Sequence, residues 1–187
     1  MDISLCGDRV TKKTFRKQAN GDLSGALVWI DSSNFRWTPN ATPPLEIRIE
    51  RCKIHPRVVI VRPKQEVFFA NGDPISYDLQ FESQSNGVRS RPLPPNLKRT
   101  TISFEDSDFV KVRCLLHPHV IGYLMVQAHP YYGITDDNGR VKFSNFPPGS
   151  YRLGIWHEAL GLKKTAEISL PAGSNKIEIK WEEITSQ

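Results

Sequence analysis

The feature that most restricts what this chain can fold into is its lack of helical periodicity. Short apolar or alternating runs recur instead, at residues 26–30, 45–49, 58–61, 67–70, 78–81, 109–115, 123–126, 141–143, 151–156, 166–170 and 176–181. Alternation with period two, or a brief apolar run closed by turn residues, is the mark of a strand. The punctuation agrees: Asn20-Gly21, Asn71-Gly72, Asn86-Gly87, Asp137-Asn138-Gly139, Pro147-Pro148-Gly149 and Ala172-Gly173 are all turn chemistry. Roughly eleven short strands at this spacing predict an all-β protein built of sandwiches or small barrels.

With 187 residues, 39% of them hydrophobic and 24% charged, the chain has enough apolar material for one or two small domains and is unlike a disordered segment. The longest stretch without a full charge, residues 114–135, contains His117, His119, His129, Pro118, Pro130 and Gly122, so no membrane span is expected. Met1 leads into Asp2-Ile3-Ser4-Leu5-Cys6 without a basic or apolar leader, and any secretory signal is expected to lie outside this numbering. The net charge is +5, with basic residues at Arg9, Lys12, Lys13, Arg16 and Lys17 and again at Arg89, Arg91, Lys98 and Arg99. Acids elsewhere dilute them, which reads as a solvated or partner-facing surface and not as a nucleic-acid site. Residues 84–101 carry Pro92, Pro94 and Pro95 and are expected to form a long surface loop; with the coil at 32–44 they are candidate domain edges.

One constellation has metal-ligand spacing: Cys114-Leu115-Leu116-His117-Pro118-His119-Val120. A Cys ending a strand, with His in the tight loop beyond it, places a thiolate and an imidazole on one small cavity, as a blue-copper site requires. Upstream, Cys52-Lys53-Ile54-His55-Pro56 and then Val67-Phe68-Phe69-Ala70-Asn71-Gly72-Asp73-Pro74, and downstream Gly122-Tyr123-Leu124-Met125-Val126, complete the pattern. Over residues 46–127 the chain resembles a plastocyanin-like cupredoxin of the secreted bacterial type. That resemblance implies a Greek-key β-sandwich or barrel and a copper site. The ligand set is incomplete, however. Tyr77 stands four residues after Asp73, where the family has its first copper His, and Val120 stands where the axial Met is expected. Cys114 and His117 remain, and His119 offers a third donor only if the loop turns back on itself. The favoured reading is a small buried Cys114 and a His117 that caps a turn.

A second resemblance starts at His129. Thr135-Asp136-Asp137-Asn138-Gly139-Arg140-Val141-Lys142-Phe143, followed by Pro148-Gly149-Ser150-Tyr151, is similar to the hairpins of a carboxypeptidase-regulatory, transthyretin-like sandwich. That module normally begins with a Gly-Ala-x-Val strand, and Gly25-Ala26-Leu27-Val28 lies about a hundred residues earlier. The economical layout is a cupredoxin-like domain at 46–127 inserted in, or fused to, a sandwich formed by 1–45 and 128–187, since insertion at a loop tip is tolerated.

Other chemistries find no support. His157-Glu158 lacks the second His of a zinc protease, since Gly161 stands there, and His157 with His129 reads as a hydrogen-bonded structural pair. Residues 136–139 fail the calcium-loop pattern, and no nucleophile elbow or phosphate-cradling loop is present. With Cys114 in the ligand loop, Cys6 and Cys52 are left as a candidate disulfide that would close a loop of ~45 residues, worth about 3–4 kcal/mol. It would need an oxidising compartment; the alternative is two unpaired thiols in the cytosol. The expectation is a non-catalytic periplasmic or extracellular binding or structural module with a degenerate copper site, no cofactor, and a protein partner or cell-envelope assembly. Its alternative is a copper-binding electron-transfer protein with an unusual ligand set. A weaker reading, carbohydrate or envelope adhesion, rests on Trp37, Tyr131 and Tyr132.

Overall fold

The computed structural model describes residues 3–6, 24–31, 35, 42–95, 99–144, 146–158, 162–171, 173 and 185–186. Apart from one turn of helix, α1 (Ile3–Cys6), every described element is a strand, as expected for an all-β chain. In chain order these are β1 (Leu27–Ile30), β2 (Leu45–Glu50), β3 (Lys53–His55), β4 (Val58–Val61), β5 (Val67–Asn71), β6 (Tyr77–Ser83) and β7 (Gly87–Leu93). They continue with β8 (Thr100–Ile102), β9 (Asp108–Cys114), β10 (Ile121–Val126), β11 (Tyr132–Ile134), β12 (Gly149–His157), β13 (Leu162–Leu170) and β14 (Thr185–Ser186). The chain divides into two compact units, residues 1–10 with 37–128, and residues 11–36 with 129–187.

The first unit is a two-layer sandwich. One sheet has the order β4-β10-β9-β6-β7, the other β3-β2-β5-β8, and each contains one parallel pair, β4 with β10 and β2 with β5. Burial alternates strictly along β6: Tyr77, Leu79 and Phe81 face inward, because successive side chains of a strand point to opposite faces. They meet Ile47 and Ile49 of β2 and Val67 and Phe69 of β5 in one core, with the Phe69 and Phe81 rings 5.2 Å apart, edge to face. Burying a large apolar side chain contributes about 1.5–3 kcal/mol, so this seam holds the layers together.

The Pro-rich segment departs from its sequence reading. Instead of one long loop, residues 87–93 form β7, with Pro92 opposite Asp78 of β6. Strand β7 ends its sheet and pairs on one side only, which is where a residue without an N–H donor can sit in a ladder. Neither this segment nor its prolines divide the chain, since residues 37–128 lie in one unit. The sequence reading also placed all of 1–45 in the sandwich, whereas 1–10 and 37–45 fall in the first unit, where a disulfide joins Cys6 to Cys52.

Among the described residues, the second unit has one sheet, of order β11-β1-β12-β13-β14. Strand β1 is buried along its whole length and bonds to β11 on one side and β12 on the other. Residues 141–143, expected as a strand, have no ladder partner; Val141 and Phe143 instead pack against the cluster of Ala26, Val28, Ile30, Leu153 and Ile155. The turn before them is closed by the Asp136 carboxylate, which accepts N–H bonds from Asn138 and Arg140, with Gly139 at φ 68°. The expected strand at 176–181 lies outside the described residues.

Because β1 separates β11 from β12, a fragment of residues 128–187 lacks the strand that joins β11 to the rest of its sheet. Expressed alone, it is expected to show no cooperative unfolding transition in urea, while the full chain does.

Candidate metal centre

The loop after β9 is shaped by its backbone. Cys114 N–H donates to Val120 O at 3.0 Å, Val120 N–H to His117 O at 2.9 Å, and Leu115 N–H to Asp78 O at 2.8 Å. These bonds turn the chain back and bring Cys114 Sγ within 3.7 Å of His117 Nδ1. Both side chains are buried, as is Val120, whereas Leu115 and Leu116 on the outer side of the loop are 43% and 58% exposed. Cys114 sits opposite Leu79 in the β6–β9 ladder. Tyr77, two residues before Leu79 on the same face, therefore comes to the loop, with its ring 5.3 Å from that of His117.

Tyr77 is 1% exposed, and its hydroxyl donates to Asp73 Oδ2 at 2.5 Å. Burial, reinforced by the Asp73 carboxylate, holds the phenol far above its usual titration range, because both disfavour a second negative charge. Without a metal ion beside it, the phenol stays protonated.

Asp73 belongs to a dense hydrogen-bonded turn. Its own N–H donates to Asn71 Oδ1, and the Asn71 amide donates to the carbonyls of Ile75 and Leu93. Its carboxylate accepts the N–H of Arg51 at 2.8 Å and of Cys52 at 3.0 Å. Arg51 and Cys52 both have positive φ, 49° and 58°, a conformation that costs non-glycine residues energy and persists where the surroundings over-determine it. Asp73 is the buried residue that the sequence reading left out. The one signal for it was its spacing, four residues before Tyr77 in a turn that has to find donors for a buried acid.

The sequence-derived candidates Cys114, His117, Tyr77 and Val120 thus meet at one end of the first unit. His119 lies in the same loop, its ring 6.1 Å from His117, with Nε2 buried and without a hydrogen-bond partner. Burial, with His117 beside it, lowers its pKa and keeps the ring neutral. Cys6 and Cys52 are disulfide-bonded, and Cys114 is a buried free thiol. A trigonal blue-copper set needs two imidazoles and a thiolate with a weak axial donor. Cys114, His117, Tyr77 and Val120 do not by themselves make up that set: they offer one thiol and one imidazole, and Val120 has no donor atom.

The remaining candidates find other roles. His129 Nε2 donates to Ile30 O at 2.9 Å and its Nδ1 accepts the Tyr131 N–H, so both ring nitrogens are engaged. His157 Nε2 donates to Ser24 O. Each imidazole is anchored to the backbone, which replaces the expected His129–His157 pair. Tyr131 is no open stacking platform, for its ring lies 4.4 Å from Phe146 and 4.6 Å from Phe35. Tyr132 is half-buried in β11, and Trp37 lies outside the described residues.

No family model matches the chain, and no curated protein does. Among solved structures it is similar to a copper-containing nitrite reductase from Thermus scotoductus, at 17% identity and a TM-score of 0.44, over 51% of this chain and 25% of that one. It thus spans about a quarter of that enzyme's length. It is also similar to amicyanin from Paracoccus versutus (16% identity, TM-score 0.41, 54% of this chain and 97% of that one). A third likeness is to a purple cupredoxin from Nitrosopumilus maritimus (21%, 0.38, 44% and 99%).

Tyr77→Phe removes one donor to a buried carboxylate and is expected to lower unfolding free energy by about 1–3 kcal/mol. Asp73→Ala is expected to cost more, since it leaves the phenol and two backbone N–H groups without their acceptor. Urea denaturation of the three proteins gives the order.

Proposed function

We propose that residues 46–127 form a cupredoxin-like module that works by binding a protein partner and not by carrying electrons on copper. The observation that carries this reading is Tyr77: its ring packs against His117 and its hydroxyl is committed to Asp73. A tightly hydrogen-bonded aromatic ring in a metal's place fills the cavity and supplies its packing without an ion. Leu115 and Leu116 stand exposed on the adjoining loop, an apolar pair of the kind that partner surfaces use. The Cys114 thiol that faces His117 is buried, so the module is read as non-catalytic. Residues 128–187 with β1 are read as the transthyretin-like sandwich that carries it, in a periplasmic or extracellular setting, where a structural disulfide persists. No described helix is long and apolar enough to cross a membrane.

The test is copper addition to the oxidised protein. One equivalent of Cu(II) is expected to leave the protein colourless. Tyr77→His combined with Val120→Met restores the trigonal ligand set and is expected to produce an intense visible thiolate-to-copper absorption. An unsubstituted protein that turns blue with one equivalent favours the electron-transfer reading.

A further inference from the structure

The Cys6–Cys52 disulfide and His119 lie outside the Cys114–His117 pair, and their chemistry is different. The sulfur atoms of Cys6 and Cys52 and a ring nitrogen of His119 all lie within 4.8 Å of one another. His119 Nε2 is buried without a hydrogen-bond partner, whereas buried polar atoms in folded proteins are nearly always satisfied. We propose that reduction of Cys6–Cys52 opens a three-donor site, two thiolates and the His119 imidazole, for a single Cu(I) ion.

The three donors are held by bonds that do not involve the disulfide. Cys52 is placed by its N–H bond to Asp73 Oδ2 and by the neighbouring Arg51 bond to Oδ1. Leu5, next to Cys6 in α1, packs against the core of the first unit. His119 sits between His117 and Val120, whose backbones are hydrogen-bonded to each other. Breaking the sulfur–sulfur bond therefore lets the two sulfurs separate while their backbones stay near His119. Cys6 and His119 are half-buried, so a small reductant can reach them.

The electron balance is that of thiol–disulfide exchange. A dithiol attacks one sulfur, the Cys6–Cys52 bond breaks, and the dithiol closes its own disulfide, passing two electrons and two protons to the cysteine pair. Cu(I) then replaces the two thiol protons, which leave to solvent. Two thiolates and an imidazole are soft donors suited to Cu(I), and three of them match a trigonal ion without a further ligand. In the oxidised protein the sulfurs are spent on each other and the site is closed.

The test uses the full chain carrying Cys114→Ala, which removes the remaining thiol. It is reduced with a dithiol, desalted without oxygen, and titrated with Cu(I) against a coloured Cu(I) chelator, beside the oxidised protein. The reduced protein is expected to take one equivalent and the oxidised protein none. His119→Ala is expected to weaken binding tenfold or more, and the reduced metal-free protein keeps its near-ultraviolet circular dichroism. Equal binding in both redox states, or binding untouched by His119→Ala, overturns the proposal. So does loss of the near-ultraviolet signal on reduction, for the cysteines would then bind as an unfolded chain. Should Cys114→Ala itself fail to fold, the reduced-minus-oxidised difference in the wild type, with and without His119→Ala, answers the same question. The copper-colour test is run on oxidised protein, so either result can fail without the other.

Discussion

The carboxylate of Asp73 organises one end of the first unit. Three donors from two separate segments converge on it: the N–H groups of Arg51 and Cys52 and the hydroxyl of Tyr77. Hydrogen bonds to a carboxylate contribute about 1.5–3 kcal/mol each, and here they oppose a local cost, the positive φ of Arg51 and Cys52. The turn after β2 is thus held in a conformation its residues do not favour, and that conformation puts Cys52 within reach of Cys6. The same carboxylate fixes Tyr77 at the edge of the loop that carries Cys114, His117 and His119. One buried acid therefore helps to place both Tyr77, beside His117, and Cys52, in the Cys6–Cys52–His119 cluster.

The loop after β9 is held by its own backbone. Its backbone bonds, from Cys114 to Val120 and from Val120 to His117, depend on chain geometry and not on the identity of a ligand. Cys114 and His117 keep the close approach that such a loop imposes, 3.7 Å between sulfur and nitrogen. Tyr77 packs its ring against that of His117, and Val120 is fully buried in the same core, contacts that add dispersion attraction.

Much of the fold was legible in the sequence because strands have a local signature. Inward and outward residues alternate along β6 and β9, and Gly139 and Asp136 announce their turn. The Pro-rich segment misled because proline is read locally as a strand breaker, whereas its tolerance in β7 depends on that strand having a partner on one side only. Residues 141–143 misled in the opposite way: their apolar pattern is that of a strand, yet it is satisfied by packing against a sheet and not by joining it. The histidines were read as a hydrogen-bonded pair because the sequence offers them no third metal ligand; that each would find a backbone carbonyl is a fact of distant partners, Ile30 for His129 and Ser24 for His157.

By itself the sequence determined the all-β character of the chain, the turns between its strands and the loop that brings a thiol and imidazoles together. These depend on residues within a few positions of one another, where side-chain alternation and backbone preference act directly. Only the tertiary structure decided which donor would close on which acceptor. Asp73 meets Cys52 across 21 positions, and His129 meets Ile30 across 99. Such pairings are chosen by how two sheets pack and by what a buried charge must find, and no local pattern encodes either.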